Sequence, residues 1–442
     1  MNDWYDAEQR VERAQELFAQ QRWQEALEEL RAAIAINPHN PAWHFNLGLT
    51  LDQMGRFQEA VAAYRRGLEL EPQDPEALCR LAADLVRLGE YQQAVETYRQ
   101  VEKFQPAFEP AYCGQVMAYT ELADHERAEE AFYLARQFKE ECPECYFHMG
   151  RSLAMRQLYD KALYCWQRTL DLDESRPGVH VLMARALRRK GDAESARRHY
   201  IDELRLDAGN VAVLLELGEL LLEMGRTEEA GEKFRQAIEL APQAPAAHVS
   251  YGSWLLACGR TEQARAAVEQ ALALDRRCPG ARLLLGRIFL IEGDRTRARR
   301  SLRAELRNVP DHPRLLMELG LLLMDSGQDF AAAGCLQRLV RLEPSSAAAW
   351  HNLAVACFQA GRYGSGMRAA RRALRLSPRQ VETAYNIALA YEKQRRFRRA
   401  LAWTRRGLRI DPGDAALARL GARIRMLRVL HALGRMLGLR GR

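Results

Sequence analysis

The sequence predicts an all-α solenoid, a stack of antiparallel helix pairs that share one continuous core. Three observations support this prediction. Written in rows of 34 residues from residue 7, the chain fills twelve rows without an insertion, and position 20 of every row is Ala except for Gly366. Position 8 is Ala or Gly in every row but the fourth, which has Val116. Position 15 is Gly in eight rows, and position 32 is Pro in eight rows.

Each row divides into two amphipathic helices, A and B, of about 14 residues. Positions 4, 7, 8 and 11 share one helical face, as do positions 20, 24 and 27. Small residues at positions 8 and 20 let the two backbones approach closely. The Gly at position 15 ends helix A in a left-handed cap, and the Pro at position 32 ends helix B. A single pair cannot bury both apolar faces, so the core must continue from row to row.

The second row shows the pattern most clearly, in Pro41–Gly48, Gly55, Phe57, Ala60, Tyr64 and Pro72. The pattern resembles the tetratricopeptide repeat family over residues 7–414. The resemblance implies a right-handed superhelix in which positions 2, 5, 9, 12 and 13 of the A helices line a concave groove. The rows begin at residues 7, 41, 75, 109, 143, 177, 211, 245, 279, 313, 347 and 381.

The segments outside the rows are short. Residues 1–6 form a lead-in, and residues 415–442 are predicted to form a basic capping helix and tail. The helix is expected to span about residues 415–438, with an apolar stripe at Leu417, Leu420, Ile424, Leu427 and Leu430. Such a helix covers the last apolar face of a repeat stack. A membrane-surface or partner-binding helix is the alternative interpretation.

Charge is distributed unevenly along the chain. Residues 1–176 carry 19 Lys and Arg against 31 Asp and Glu, a net −12, whereas residues 345–442 carry 21 against 4, a net +17. We call the outward-facing arginines of helices B in rows 11 and 12 the basic surface: Arg368, Arg371, Arg372, Arg375, Arg398, Arg399, Arg405, Arg406 and Arg409. They fit either a solvated face or a contact with an acidic partner, nucleic acid or anionic lipid. Aromatic residues are sparse among them, which argues against nucleic acid.

Several function classes are excluded or disfavoured. No window of about 18 apolar residues is present, so no transmembrane helix is predicted. The first residues lack the basic segment and following apolar segment of a secretory signal. The chain has nine cysteines, an odd number, which fits a reducing compartment. We therefore expect a cytoplasmic protein. Glycine-rich phosphate loops, HExxH and GxSxG are absent. The chain is therefore predicted to be no enzyme and to need no cofactor.

One cysteine pair could have a metal-binding or redox function. Cys142 and Cys145 form a CxxC motif, and His148 follows three residues later. Structural zinc needs four ligands, and a second CxxC is missing, so no metal site is predicted. The start of a helix can stabilise a thiolate, which leaves a redox pair as the alternative to two incidental thiols.

The basic segment is the first of three candidate binding groups and consists of Arg151, Arg185, Arg188 and Arg189 in rows 5 and 6. Arginines at matching positions of stacked rows suit a carboxylate or phosphate partner. The alternative is that the last two, just before Gly191, complement the negative end of the helix dipole. That alternative does not explain the first two.

The apolar ladder and the Asn pair are the other two groups. The apolar ladder occupies positions 5 and 12 of rows 7–10: Leu215, Leu222, Val249, Leu256, Leu283, Leu290, Met317 and Met324. A long apolar stripe on an open face suits an amphipathic helix or an apolar peptide. The alternative is that these side chains pack against neighbouring A helices. The Asn pair, Asn352 and Asn386 at position 6 of rows 11 and 12, could hold the backbone of an extended peptide.

Together these features predict a non-catalytic protein–protein interaction scaffold that binds a peptide or helix of a partner protein in its concave groove. The ligand is expected to be acidic near rows 5 and 6 and apolar near rows 7–10. One alternative is an accessory or substrate-presenting subunit for a separate enzyme of glycosyltransferase or envelope-assembly type. Another is a protein that binds anionic surfaces through its basic C-terminal rows.

Overall fold

The computed structural model confirms the all-α prediction. Its described part contains helices and turns and no strand. The chain forms two compact units, Met1–Val213 and Leu214–Arg442. Residue 1 of the predicted lead-in and residues 437–442 of the predicted tail lie outside the described part, which comprises residues 2–139, 141–308 and 311–436.

The helices follow each other at regular intervals, and odd-numbered helices up to α23 are the A helices of the rows. The first unit contains α1 (Asn2–Ala19), α2 (Trp23–Ile36), α3 (Pro41–Gln53), α4 (Phe57–Leu70), α5 (Pro75–Arg87), α6 (Tyr91–Phe104), α7 (Glu109–Glu121), α8 (His125–Phe138), α9 (Pro143–Met155), α10 (Tyr159–Leu172), α11 (Val179–Lys190) and α12 (Ala193–Leu206).

The remaining helices are α13 (Val211–Glu223), which begins in the first unit, and those of the second unit. These are α14 (Thr227–Leu240), α15 (Pro245–Ala257), α16 (Thr261–Leu274), α17 (Ala281–Ile291), α18 (Arg295–Asn308), α19 (Pro313–Asp325), α20 (Asp329–Leu342), α21 (Ala347–Gln359), α22 (Tyr363–Leu376), α23 (Val381–Lys393), α24 (Phe397–Ile410) and α25 (Ala415–Met436).

The core runs from row to row within each unit. In the first unit, one cluster of buried side chains extends from Leu27 to Ala186. In the second unit, another extends from Leu283 to Ile424. Consecutive A helices also touch directly, as α7 and α9 do. This arrangement is the one expected when no single helix pair can bury its own apolar faces.

The turn after each A helix requires a left-handed residue, whatever the side chain. The glycines at position 15 have φ between 72° and 85°. The four rows without Gly there have Gln21, Ala123, Gln157 and Arg395, whose φ values are 57–62°. The short connection between the two helices therefore imposes the conformation, and Gly only relieves its strain.

A substitution in this turn should change stability in a predictable direction. Ala123→Gly is expected to raise the free energy of unfolding by about 1 kcal/mol, because a left-handed L-residue is replaced by one without a Cβ. Gly89→Ala should lower it by a similar amount, and a Cβ there would contact nothing within 4 Å, so this change isolates the backbone effect. Urea denaturation followed by circular dichroism measures both. Equal stability of all three chains would contradict the assignment of strain to this position.

Position 8 makes room for a side chain of helix B, which refines the sequence interpretation. A Cβ at Gly150 would lie 2.4 Å from Nε1 of Trp166, and one at Gly218 would lie 2.5 Å from Phe234. The large residues are those at position 24 of the same row. Position 8 is therefore small because the position-24 side chain crosses the pair.

Row 11 has a close approach in the opposite direction. Its position-24 residue is the small Ala370, and the large side chain, Phe358 at position 12, comes from helix A. A Cβ at Gly366 would lie 2.5 Å from the Phe358 ring. In this row the glycine, at position 20 of helix B, makes room for a side chain of helix A.

The C-terminal helix α25 is covered along only part of its length. Leu417, Leu420 and Ile424 are buried against the last row, as the stripe predicts. Leu430, the last member of the predicted stripe, is exposed instead. Helical spacing alone therefore overstated the length of the buried stripe, although the next residue, His431, still contacts the Phe397 ring at the start of α24.

Candidate functional site

The basic segment lies on the A helices of the first unit, but its arginines are not four free charges. Arg151 Nη2 lies 2.7 Å from the carboxylate of Glu121 on the preceding A helix. Arg185 and Arg189 are exposed, and Arg188 is half-buried. The last two lie in the final turn of α11, which ends at the left-handed Gly191. Their place fits the dipole interpretation, while Arg151 already has a carboxylate partner within the chain.

The apolar ladder lies on the A helices of the second unit and is largely half-buried. Leu256 and Leu283 are buried and therefore contribute to the core. The half-buried members are Leu215, Leu222, Val249, Leu290, Met317 and Met324. Two members of the ladder therefore belong to the core, as the alternative of packing against neighbouring A helices expects. The other six are partly exposed.

Two exposed apolar side chains on these A helices were missed by the sequence interpretation. Ile291, at the end of α17, is 59% exposed, and Leu321, in the middle of α19, is 39% exposed. They occupy positions 13 and 9, which belong to the groove implied by the family resemblance. An inspection of positions 9 and 13 for apolar residues would have found them, because both positions lie away from the core stripe.

Ion pairs show that the A-helix face of the second unit curves inward. Arg314 of α19 lies 4.0 Å from Glu219 and 3.5 Å from Glu223, both on α13. These A helices belong to rows 10 and 7, so their side chains meet across three rows. Such a meeting requires the A helices to lie on the inside of a bend. Arg287 and Glu318, 3.9 Å apart, form another pair on adjacent A helices of this face.

The Asn pair is partly engaged by its neighbours. Asn352 donates from Nδ2 to the sulfur of Met317 at 3.2 Å, so it joins the end of the apolar ladder. Asn386, in the next row, is half-buried. Between these rows, His351 Nδ1 lies 2.7 Å from Thr383 Oγ1. Asn352 therefore adds a polar amide beside the methionine rather than starting a separate ladder.

An acidic pair is buried on the A helices of rows 2 and 3. Asp84 is buried, and its Oδ1 accepts a hydrogen bond of 2.9 Å from Arg87, which also pairs with Asp52. The other oxygen of Asp84 has no partner. Burial, and then the charge of Asp52, raises the pKa of Asp84 to about 7.

This pair predicts a pH dependence of stability. The native chain holds the proton of Asp84 more tightly than the unfolded chain, whose pKa is about 3.9, so the stability gained is present below pH 4 and is lost as pH rises to about 7. Asp84→Asn keeps a neutral group at every pH. Its free energy of unfolding should exceed that of the wild type by about 1–2 kcal/mol at pH 8 and by less at pH 5. Parallel pH profiles for the two chains would contradict this account.

Two groups of side chains in the first unit have the composition of metal ligands. Glu109, Cys113, Cys142 and Cys145 bring their ligand atoms within 4.8 Å of one another, as do His180, His199 and Asp202. In the second group the two Nδ1 atoms lie 3.0 Å apart, so one ring donates to the other. The CxxC motif therefore has two further neighbours, contributed by the preceding A helix. His148, which the sequence places near the motif, is not part of the group.

No helix in the described part of the chain combines the length and the apolar content that a membrane span requires. None of the curated proteins matches this sequence.

Among solved structures, three similar ones are all distant. The Cut9–Hcn1 hetero-tetramer of APC/C is 18% identical, with 93% of this chain and 95% of that chain covered and a TM-score of 0.44. Yeast Tom70 is 15% identical, with 97% of this chain and 96% of the Tom70 chain covered and a TM-score of 0.41. TTC0263, a TPR protein of Thermus thermophilus, is 23% identical, with 41% and 99% covered and a TM-score of 0.38.

Family models give the direct assignment. One tetratricopeptide repeat model matches residues 17–85, 51–112, 221–288 and 357–424. A second matches residues 181–245, 292–333 and 317–380. These matches cover most of the chain, and the helix pairs, the left-handed turns and the packing of positions 8 and 24 follow the same period. The chain belongs to the tetratricopeptide repeat family.

Proposed function

We propose that the chain is a protein-interaction scaffold whose A-helix face in the second unit binds an apolar peptide segment of a partner protein. The observation that carries the proposal is the exposure of Ile291 and Leu321 beside the half-buried apolar ladder. Isoleucine and leucine of this size gain about 1.5–3 kcal/mol each when they are buried. An inward-curving face that holds them can surround a ligand on more than one side.

The polar groups on this face favour a short, oriented segment. Arg287, Arg314 and Glu318 lie on the same A helices as the apolar side chains. A peptide with apolar residues at helical spacing could cover the apolar side chains, while its flanking charges meet these groups. The acidic ligand segment expected near rows 5 and 6 would bind the first unit and is a separate proposal. In that unit, Arg151 already pairs with Glu121.

A peptide-display selection tests this function and requires no named partner. The full chain is immobilised, and enriched peptides are resynthesised and measured by fluorescence anisotropy. We expect enriched sequences with two or more apolar residues three or four positions apart, and Ser at those positions should abolish binding. Failure to enrich any sequence, or full binding of the Ser-substituted peptides, would contradict the proposal.

The basic surface supports a second candidate, binding of an anionic macromolecule. All nine of its arginines are exposed, and within the described residues none of them pairs with a carboxylate. Arg406 instead lies over the Trp403 ring, 4.8 Å from its centroid. Salt distinguishes the two functions: binding through the basic surface should weaken by about tenfold or more between 50 and 500 mM salt, whereas apolar binding should change little.

A further inference from the structure

Four potential ligands converge between two consecutive A helices of the first unit. Glu109 and Cys113 lie one turn apart on α7, so both point from the same side of that helix. Cys142 is the N-cap residue of α9, and Cys145 lies in its first turn. The two cysteines of α9 are buried, while the two residues of α7 are half-buried. The helix contact brings together residues that are about thirty positions apart in the chain.

Two of the distances within the group match those around a single tetrahedral ion, and all four ligand atoms lie within 4.8 Å of one another. The sulfur atoms of Cys113 and Cys142 are 3.8 Å apart, and Cys145 Sγ lies 3.6 Å from Glu109 Oε1. Zinc binds thiolate sulfur at about 2.3 Å and carboxylate oxygen at about 2.1 Å. A tetrahedral angle then places two sulfurs about 3.8 Å apart and a sulfur and an oxygen about 3.6 Å apart. Both observed separations fit this geometry.

The four groups lie close together and are largely covered by the two helices. Cys142 is at the N-terminus of α9, where the helix dipole favours a thiolate ligand. As neutral groups, three thiols and a carboxyl interact only weakly with one another. As anions they would repel one another, and a bound cation would replace that repulsion with metal–ligand bonds.

We propose that Glu109, Cys113, Cys142 and Cys145 form a four-ligand site for one thiophilic divalent ion, best suited to Zn²⁺. Three sulfur ligands select a soft or borderline metal over Mg²⁺ or Ca²⁺. Four protein ligands leave no open position, so the site is structural rather than catalytic. It would clamp row 4 to row 5, next to Val116, where the small residue of position 8 is missing. The alternative fate of the cysteines, a Cys113–Cys142 disulfide, is an outcome of the test.

Cobalt titration provides the test. The full chain is purified without a histidine tag, reduced, stripped with a chelator and titrated with Co²⁺. We expect one Co²⁺ per chain, the visible bands of tetrahedral cobalt with a near-ultraviolet thiolate charge-transfer band, and loss of both on addition of Zn²⁺. Cys113→Ser and Cys142→Ser should each weaken binding roughly 100-fold or more, whereas Cys258→Ser, which changes an exposed cysteine outside the group, should bind as the wild type does.

Further measurements separate the site from a structural effect of substitution. Glu109→Gln should retain the charge-transfer band but shift the visible bands, because only the oxygen ligand changes. If a serine variant fails to fold, a melting temperature of the wild type that rises by several degrees with Zn²⁺ and not with Mg²⁺ supports the site. The proposal is overturned by a folded, reduced chain that binds no cobalt, by unchanged binding in folded Cys113→Ser, or by peptide mapping that finds a Cys113–Cys142 disulfide, formed with dissolved oxygen as the oxidant, in chain purified without an added oxidant.

Discussion

Replacing Trp166 with Ala should lower the free energy of unfolding by about 3–5 kcal/mol, the range seen for large aromatic residues in cores. Trp166 is 1% exposed, and its Nε1 donates to the carbonyl of Phe147 at 3.2 Å. The ring lies against Gly150 across the helix pair. The substitution leaves a cavity between two helices that short turns hold in place, so the site cannot collapse easily. Urea denaturation followed by circular dichroism measures the loss.

A compensating substitution provides the control. Gly150→Leu alone should destabilise the chain, because its Cβ would overlap the Trp166 ring. In the Trp166→Ala background, the same leucine should recover at least about 1 kcal/mol by filling the cavity. Row 11 shows that helix A can supply the large side chain of a pair, with Phe358 on helix A facing Gly366 on helix B. Simple additivity of the two substitutions would contradict the proposed packing.

The double substitution Ile291→Glu and Leu321→Glu should weaken binding of an enriched peptide by about 100-fold or more. Each residue loses about 1.5–3 kcal/mol of apolar burial, and the buried interface gains an unpaired carboxylate. Both side chains are exposed in the free chain, so the fold should tolerate the change. Fluorescence anisotropy with the labelled peptide measures the affinity, and circular dichroism monitors the helices.

A matched control lies on the B helices of the same unit. Leu240 and Leu342 are 50% and 44% exposed, at the ends of α14 and α20. Leu240→Glu together with Leu342→Glu adds the same charge and removes the same kind of side chain on a different face. This variant should bind the peptide as the wild type does. An equal loss of affinity in both double variants would show that charge or stability, rather than the A-helix face, determines binding.

The helices could be predicted from sequence because their signals are local and repeated. Position 15 illustrates the limit of that reasoning. Glycine marks the left-handed turn in eight rows, but Ala123 and Arg395 adopt the same conformation under the constraint of the turn. Likewise, the small residue at position 8 is visible in the sequence, whereas its function of receiving the position-24 side chain depends on how the two helices cross.

The candidate binding sites were less predictable because they depend on exposure and on contacts between rows. Leu283 and Met317 occupy the same position of adjacent rows, yet Leu283 is buried and Met317 is half-buried. Such differences depend on the side chains that each A helix meets in the adjacent rows, as Met317 meets Asn352, and the repeat pattern does not encode them. Cys113 was missed for a related reason: spacing along the chain identifies Cys142 and Cys145, while Cys113 meets them through the packing of α7 on α9.

Hydrogen–deuterium exchange of the full chain, with and without a saturating enriched peptide, locates the peptide on the chain. Binding on the A-helix face predicts slower exchange in α15, α17 and α19, with α16, α18 and α20 unchanged. The Ile291→Glu, Leu321→Glu chain should show no such protection. Protection confined to α22, α24 or α25, with none in the A helices of rows 8–10, would contradict the claim and assign the peptide to the basic C-terminal rows.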